Sequence, residues 1–305
     1  MVQVIRHRKA YYVLSGTLIA LSVLALLLWG LRLGIDFKGG SLLYGDFTTA
    51  LPAQFEIVQS LSGIALGELV VQPAGATSVL LRFKDADEET HQAVVRALGE
   101  LAASHTEGNA FVQQSFESIG PSIGRELRTK AVTATALVLL LIVSFIAIAF
   151  RKVSWPLASW KYGVATLIAL FHDIIIPLGL FAALGHFQNV EISSGFIAAI
   201  LTVLGYSVHD SIIVFDRIRE NLTRHQGKTF EETVNISVNQ TFVRSLNTSL
   251  TVMLVLLSVY FLGGESIKYI ALMLIVGVGV GTYSSIFIGS TALVTWHEYV
   301  RARSR

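Results

Sequence analysis

Three features of this 305-residue chain point to a polytopic α-helical membrane protein with six transmembrane helices and one extracytoplasmic α+β domain between helices 1 and 2. Hydrophobic residues make up 53% of it, charged residues 14%, and the mean hydropathy is +0.62, a balance that a soluble globule of this length does not carry. Six apolar runs are long enough to cross a hydrocarbon core of about 30 Å at about 1.5 Å per helical residue. A single long polar interval, 32–130, separates the first run from the second.

The first span is read at 12–31, after a cytoplasmic N-terminus of 1–11 that carries Arg6, Arg8 and Lys9. That basic start also suits a signal peptide, but no A-x-A-like cleavage site closes the run, which is longer than a typical signal core, so a retained anchor is expected. The other spans fall near 131–150, 162–184, 192–215, 246–262 and 269–295, with 296–305 as a tail. Short loops set the orientation, because cytoplasmic faces collect Lys and Arg. The N-terminus, the second connection (Arg151, Lys152, Lys161), the fourth (Arg217, Arg219, Arg224, Lys228) and the end (Arg301, Arg303, Arg305) all fall on one side. The third-to-fourth loop, 185–191, has no Lys or Arg. Both termini are therefore expected in the cytoplasm.

Within 32–130 the alternation of apolar positions predicts strands at 41–47, 67–72, 78–84 and 110–118 and helices at 52–61 and 88–103. The order β-α-β-β-α-β is the ferredoxin-like split pattern. The interval has no paired carboxylates in a cleft motif and no nucleophile with a base. By fold analogy such a domain binds or packs rather than catalyses.

Several chemistries are excluded by composition. With no cysteine, disulfides, iron–sulfur clusters and thiolate metal sites are ruled out, and the eight histidines show no HExxH spacing, so no bound metal and no redox cofactor are expected. A net charge of +2 is too small to argue for nucleic acid. Gly227-Lys228-Thr229 resembles the end of a phosphate loop, but Leu222 stands where the first glycine is required and no apolar strand precedes it, so no nucleotide site is expected.

What remains are ionisable groups inside apolar spans, which are usually kept only where they face a partner, a wet cavity or an ion path. In the fourth span Thr202, Tyr206 and Asp210 follow at i, i+4 and i+8, with Gly205 and His209 on the neighbouring stripe. The fifth span carries Arg244, Asn247 and Thr248 at helical spacing, and since it returns from the fourth, Arg244 is expected to face Asp210 at similar depth. An arginine stays charged at any relevant pH, so protonation of Asp210 would cancel the pairing and act as a switch. The alternatives are a structural lock for the pair and, for Arg244, snorkelling to the headgroups. In the third span Asp173 lies about 11 residues from the cytoplasmic start, with Pro177 at i+4 removing one backbone N–H; a relay role and a plain packing kink both fit. Gly277 and Gly281 form a GxxxG in the sixth span and read, with Gly205, as helix-packing positions.

Five segments in order, GIDFKGG (34–40), IGPSIGRELRTK (119–130), GYSVHDSIIVFDRIREN (205–221), QTFVRSLNTSL (240–250) and GTYSSIF (281–287), resemble the SecF family, the smaller-subunit branch of the bacterial SecD/SecF export proteins, itself similar to the resistance-nodulation-division transporters. The resemblance covers nearly the whole chain. It implies a multi-pass subunit of the bacterial inner membrane that is not an enzyme and works with SecD beside the SecYEG channel, with YajC and YidC as further neighbours and unfolded preproteins as clients. It also implies use of the proton gradient to complete export on the outer side. The family's proton-linked aspartate and arginine fall on Asp210 and Arg244. His209 stands where asparagine is common in the family, which keeps sodium open as the alternative ion. The expected cycle is proton entry from outside, neutralisation of Asp210, changed pairing with Arg244 and a rearrangement passed to 32–130. A passive assembly subunit and a proton-coupled small-molecule exporter are the rival readings.

Overall fold

The computed structural model describes residues 2–84, 86–150 and 158–303. Arg151, Lys152 and Arg305, counted above among the basic residues of one face, lie outside them. The chain divides into two compact units, 33–131 and the remainder.

The smaller unit opens with a short helix α2 (Ile35–Lys38) and continues as β1 (Gly40–Phe47), α3 (Gln54–Ser60), β2 (Val70–Pro73), β3 (Ser78–Phe83), α4 (Glu88–His105) and β4 (Phe111–Ile119). Its antiparallel sheet has the order β2-β3-β1-β4. This is the split βαβ arrangement expected from the strand spacing. One face of each strand is apolar, and Leu43, Phe47, Val79 and Leu81 pack there against Ile57 of α3 and Val94, Leu98 and Ala102 of α4. Two of the sequence motifs meet in this unit. A Cβ on Gly39 would come 2.8 Å from the Cα of Pro121, and one on Gly124 would come 3.0 Å from the backbone nitrogen of Gly39, so the close approach of the two segments requires glycine at both places.

Helix α4 is fixed at its start by Asp87, whose side chain accepts from the backbone N–H of Thr90 at 2.9 Å. The hydrogen bonds from Thr90 hold the Asp87 carboxyl below the ordinary aspartate range. A depressed carboxyl contributes stability above its unfolded-state pKa and loses it as pH falls through the folded value. Asp87→Ala is therefore expected to speed amide exchange in the first turn of α4 in the full chain at neutral pH, and the difference from wild type should close under acid; an unchanged exchange rate at neutral pH would remove the cap.

The larger unit contains α1 (Arg8–Trp29), the membrane portion of α5 (Pro121–Ala149), α6 (Ser159–Gln188), α7 (Ser194–Thr223), α8 (Phe230–Leu262), α9 (Glu265–Ser284), a π-helical turn (Ser285–Gly289) and α10 (Ser290–Arg303). Six helices are long and apolar enough to cross a membrane, the last being α9, the π turn and α10 in series. The helices α6, α7 and α9–α10 form the packed centre, while α1, α5 and α8 leave most of their apolar length exposed. Helix α8 begins at Phe230, well before the apolar run at 246, because Thr229 caps it on the N–H of Glu232 at 3.1 Å and Phe230, Val234 and Val238 are buried at helical spacing.

Both chain ends lie on one side of this unit. Asn239 of α8 binds the backbone of Val2 twice, at 2.8 and 2.9 Å, and Arg8 donates to Glu298 of α10 at 2.6 Å. Close helix contacts fall at small residues. A Cβ on Gly179 of α6 would come 2.3 Å from the Cβ and 2.4 Å from the Cα of Ser22 on α1, whereas one on Gly16 would meet nothing within 4 Å. Gly179→Ala is expected to destabilise the chain by about 1–3 kcal/mol, since backbone must move, and Gly16→Ala to leave it unchanged. Thermal unfolding of the detergent-solubilised chain separates the two.

Candidate functional site

Helix α7 presents two different faces. Val203, Ser207, Asp210, Ser211 and Val214 follow at helical spacing and are buried, while Thr202, Gly205 and His209 are exposed. Asp210 is 1% exposed, and the hydroxyls of Ser245 on α8 and Thr282 on α9 stand beside its carboxylate. Among the described residues neither Asp210 Oδ2 nor Ser245 Oγ has a partner at good hydrogen-bond geometry. An orphaned carboxylate oxygen in a low-dielectric interior is costly and marks a place where a proton, an ion or a water is taken up.

A line of hydroxyls leads away from Asp210. The Tyr206 hydroxyl lies 3.0 Å from Ser249 Oγ, and Ser249 Oγ lies 2.5 Å from Thr282 Oγ1. Ser245 and Ser249 also bond back along α8, Ser249 donating to the Ser245 carbonyl at 2.8 Å. The buried face of α8 is thus Ser237, Thr241, Ser245 and Ser249, at i, i+4, i+8 and i+12.

That face corrects the expected pairing. Arg244 is exposed, about 100° around the helix from Ser245, and among the described residues it forms no ion pair, with Asp210 or any other group. Asn247 and Thr248 share its exposed side; Thr248 donates to the Arg244 carbonyl at 2.9 Å and Thr251 to that of Asn247 at 2.8 Å. Thr202 likewise only bonds back to the carbonyl of Ala198, at 2.8 Å. Gly205 is corrected too: a Cβ there would meet nothing within 4 Å, so it serves no close packing among the described residues. A Cβ on Gly277 would come 2.3 Å from Val203 Cγ2 and one on Gly281 would come 3.1 Å from Ser207 Cβ, so α9 seats against α7 at those glycines.

Asp173 of α6 lies on the other buried side of α7. It is 0% exposed and accepts from Ser207 Oγ at 2.5 Å, from Ser284 Oγ at 2.8 Å and, across the ring nitrogen Nδ1, from His172 at 3.0 Å. Pro177 is buried one turn further on, within an unbroken α6. Sequence reading missed His172, Ser245, Ser249 and the bonding of Thr282 and Ser284. The i, i+4 series Thr241, Ser245, Ser249 was the available signal.

The arrangement suits ion uptake by buried carboxylates. Among the described residues no group of three or more His, Asp or Glu side chains could hold a metal ion.

With this geometry the chain can be set beside known proteins. The family described as protein export membrane protein SecD/SecF, C-terminal, matches residues 100–299. The protein translocase subunit SecF of Thermobaculum terrenum is 44% identical over 98% of this chain and 95% of its own length, and that of Anaerolinea thermophila is 35% identical over 98% and 95%. The crystal structure of SecDF from Thermus, described as a translocon-associated membrane protein, superposes with a TM-score of 0.81 at 33% identity. It is matched over 96% of this chain, which spans 38% of that longer protein. A second SecDF structure, in a super-membrane-facing form, gives 0.68 at 34% identity, covering 98% of this chain and 39% of that one. On these grounds the chain belongs to the SecF family of protein translocase subunits.

Proposed function

We propose that this chain is an auxiliary subunit of the Sec protein-export machinery, embedded in the bacterial inner membrane with both termini in the cytoplasm, and that it works with SecD to draw on the proton motive force late in export. The observation that carries the reading is Asp210: a carboxylate at 1% exposure, ringed by hydroxyls, with one oxygen unpartnered. Moving one charge across the membrane supplies about 2.3 kcal/mol per 100 mV, enough to bias a two-state element by about fifty-fold. Sodium is the alternative ion, and the hydroxyls of Ser245 and Thr282 would suit it as oxygen donors.

Such coupling requires a two-state element. One SecDF structure is described as a super-membrane-facing form, and a protein that takes up more than one such form would supply it. Residues 33–131 would be the part that responds outside the membrane, with SecYEG, YajC and YidC as neighbours and emerging preproteins as clients. No chemical catalysis is needed. Arg244 is assigned here to a face that SecD covers rather than to a direct pair with Asp210, and His209 and Tyr206 to the polar approach to the carboxylate.

The test is completion of preprotein export in inverted vesicles under an imposed proton gradient, comparing wild type with Asp210→Asn at equal complex abundance. Loss of the gradient-dependent part supports the reading; a full response to the gradient by the variant overturns it in favour of a passive assembly subunit.

A further inference from the structure

We propose that His172, held by Asp173, is a second proton-binding site, exchanging its proton through a groove in the half of the membrane bundle that carries both chain ends. The inference deepens the ion-coupled reading above, and it rests on geometry distinct from that of Asp210.

The ring of His172 is clamped. Nδ1 faces Asp173 Oδ1 at 3.0 Å, while Asp173 Oδ2 is occupied by Ser207 and Ser284, so the carboxylate is fixed and orients the imidazole with its Nδ1–H toward α6. Nε2 then points at Ser15 Oγ of α1, 3.1 Å away. From Ser15 the bonds continue to the Tyr283 hydroxyl at 3.3 Å and from Tyr283 to the Tyr11 carbonyl, also at 3.3 Å. This chain satisfies both charge states. With Nε2 bare, Ser15 donates to it. With Nε2 protonated, it donates to Ser15, Ser15 to Tyr283, and Tyr283 to the carbonyl, leaving no donor stranded. Gaining the proton changes the buried His–Asp pair from a net charge of −1 to zero, and the proton ends on Nε2.

A groove adjoins the ring on the side of α1 and α10. His172 and Ser15 open onto a groove of about 620 Å³ between α1, α6 and α10, lined also by Tyr12, Gly16, Trp296 and Tyr299. The titratable groups facing the ring or the groove are Asp173 on α6, Tyr11 and Tyr12 on α1, Tyr283 on α9 and Tyr299 on α10; no Lys, Arg, Asp or Glu is among the described residues lining the groove, and the nearest cations to its walls are Lys161, 5.6 Å from the Trp296 ring, and Arg303, 5.1 Å from that of Tyr299. Tyr12 OH and Thr295 Oγ1 meet at 2.9 Å across it, near the ends of the helices that carry the termini.

The site is also wired to Asp210. Residues 282–285 of α9 and the π turn touch both carboxylates: Thr282 stands beside Asp210, Ser284 bonds Asp173, and Ser285 bonds the Ser207 carbonyl at 3.1 Å and Ser211 Oγ at 3.1 Å. The α-to-π transition begins at Ser285, a feature frequent at functional sites in helices.

The experiment uses the full chain with its SecD partner in lipid bilayers, labelled with ¹⁵N-histidine. Solid-state spectra are recorded over roughly pH 5 to 8, the range in which imidazoles ordinarily titrate, and His172 is assigned by its contact with Ser15 Cβ. The expected result is an Nδ1 that stays protonated throughout and an Nε2 that passes from bare to protonated as pH falls. An Nε2 that does not change, or a ring that carries its proton on Nε2 alone, overturns the site. Access is read separately with Gly16→Cys in a cysteine-free partner background, this chain having no cysteine of its own. A membrane-impermeant methanethiosulfonate should label it only from the side of the termini, and labelling from the opposite side only, or from neither, overturns the route. A His172 that titrates as described in a complex whose export ignores the gradient supports this site and removes the coupling reading. An invariant His172 in a complex whose export depends on the gradient and on Asp210 does the reverse.

Discussion

Asp210→Asn is expected to abolish gradient-stimulated export while leaving the chain folded and its complex assembled. The substitution keeps the shape and the contacts with Ser245 and Thr282, so packing between α7, α8 and α9 has no reason to change. What it removes is the capacity to gain and lose a charge. The wild-type carboxylate bears an unpartnered oxygen at 1% exposure, a condition that costs stability unless it serves uptake of a proton or ion. The neutral amide should therefore give a chain at least as stable to heat as wild type. Retained or raised thermal stability together with lost gradient response identifies a coupling group; lost complex abundance identifies a lock. Ser245→Ala gives a graded control, because it widens the space beside Asp210 without altering its charge.

The sequence made the spans and the small domain legible for simple reasons. A run such as 162–184 has no reading in water, and alternation in 78–84 or helical spacing at Val94, Leu98 and Ala102 leaves little choice of element. Which way side chains face was harder. Arg244 drew attention because a charge in an apolar run is conspicuous, yet the inward series is the quieter Thr241, Ser245 and Ser249, one residue out of phase. The start of α8 was missed because hydropathy falls between 230 and 245, although the pair Thr229 and Glu232 is a capping signal and Phe230, Val234 and Val238 carry the apolar stripe. His172 went unread beside Asp173 because adjacent residues on an ideal helix point about 100° apart; the bend of two flexible side chains toward each other is visible only in three dimensions. Gly205 failed as a packing residue for the opposite reason, since among the described residues a Cβ there would meet nothing within 4 Å.

That uncovered face carries the second large prediction. On α8, Gln240, Arg244, Asn247, Thr248 and Thr251 are exposed together, and on α7 so are Thr202, Gly205 and His209. In lipid an arginine costs at most about 2.5–3.5 kcal/mol, the mid-bilayer figure, and less toward the headgroups, so a helix face of this kind is best satisfied where another protein surface covers it. Arg244→Leu makes the face suitable for lipid. It is therefore expected to leave the isolated chain's thermal stability equal or higher and to weaken association with SecD by up to about two orders of magnitude, the equivalent of that ceiling. Titration of labelled SecD into liposomes bearing each variant measures it, with Leu140→Ala, on an exposed apolar stretch of α5, as the control that should bind normally. Unaltered affinity would mean that Arg244 reaches the headgroups instead and that the partner docks elsewhere. Weakened affinity with retained folding would make Arg244 and Asp210 members of two different surfaces of one bundle, the first recognising a neighbour and the second taking up the ion, so that their effects on export should combine as separate steps rather than cancel as a broken pair.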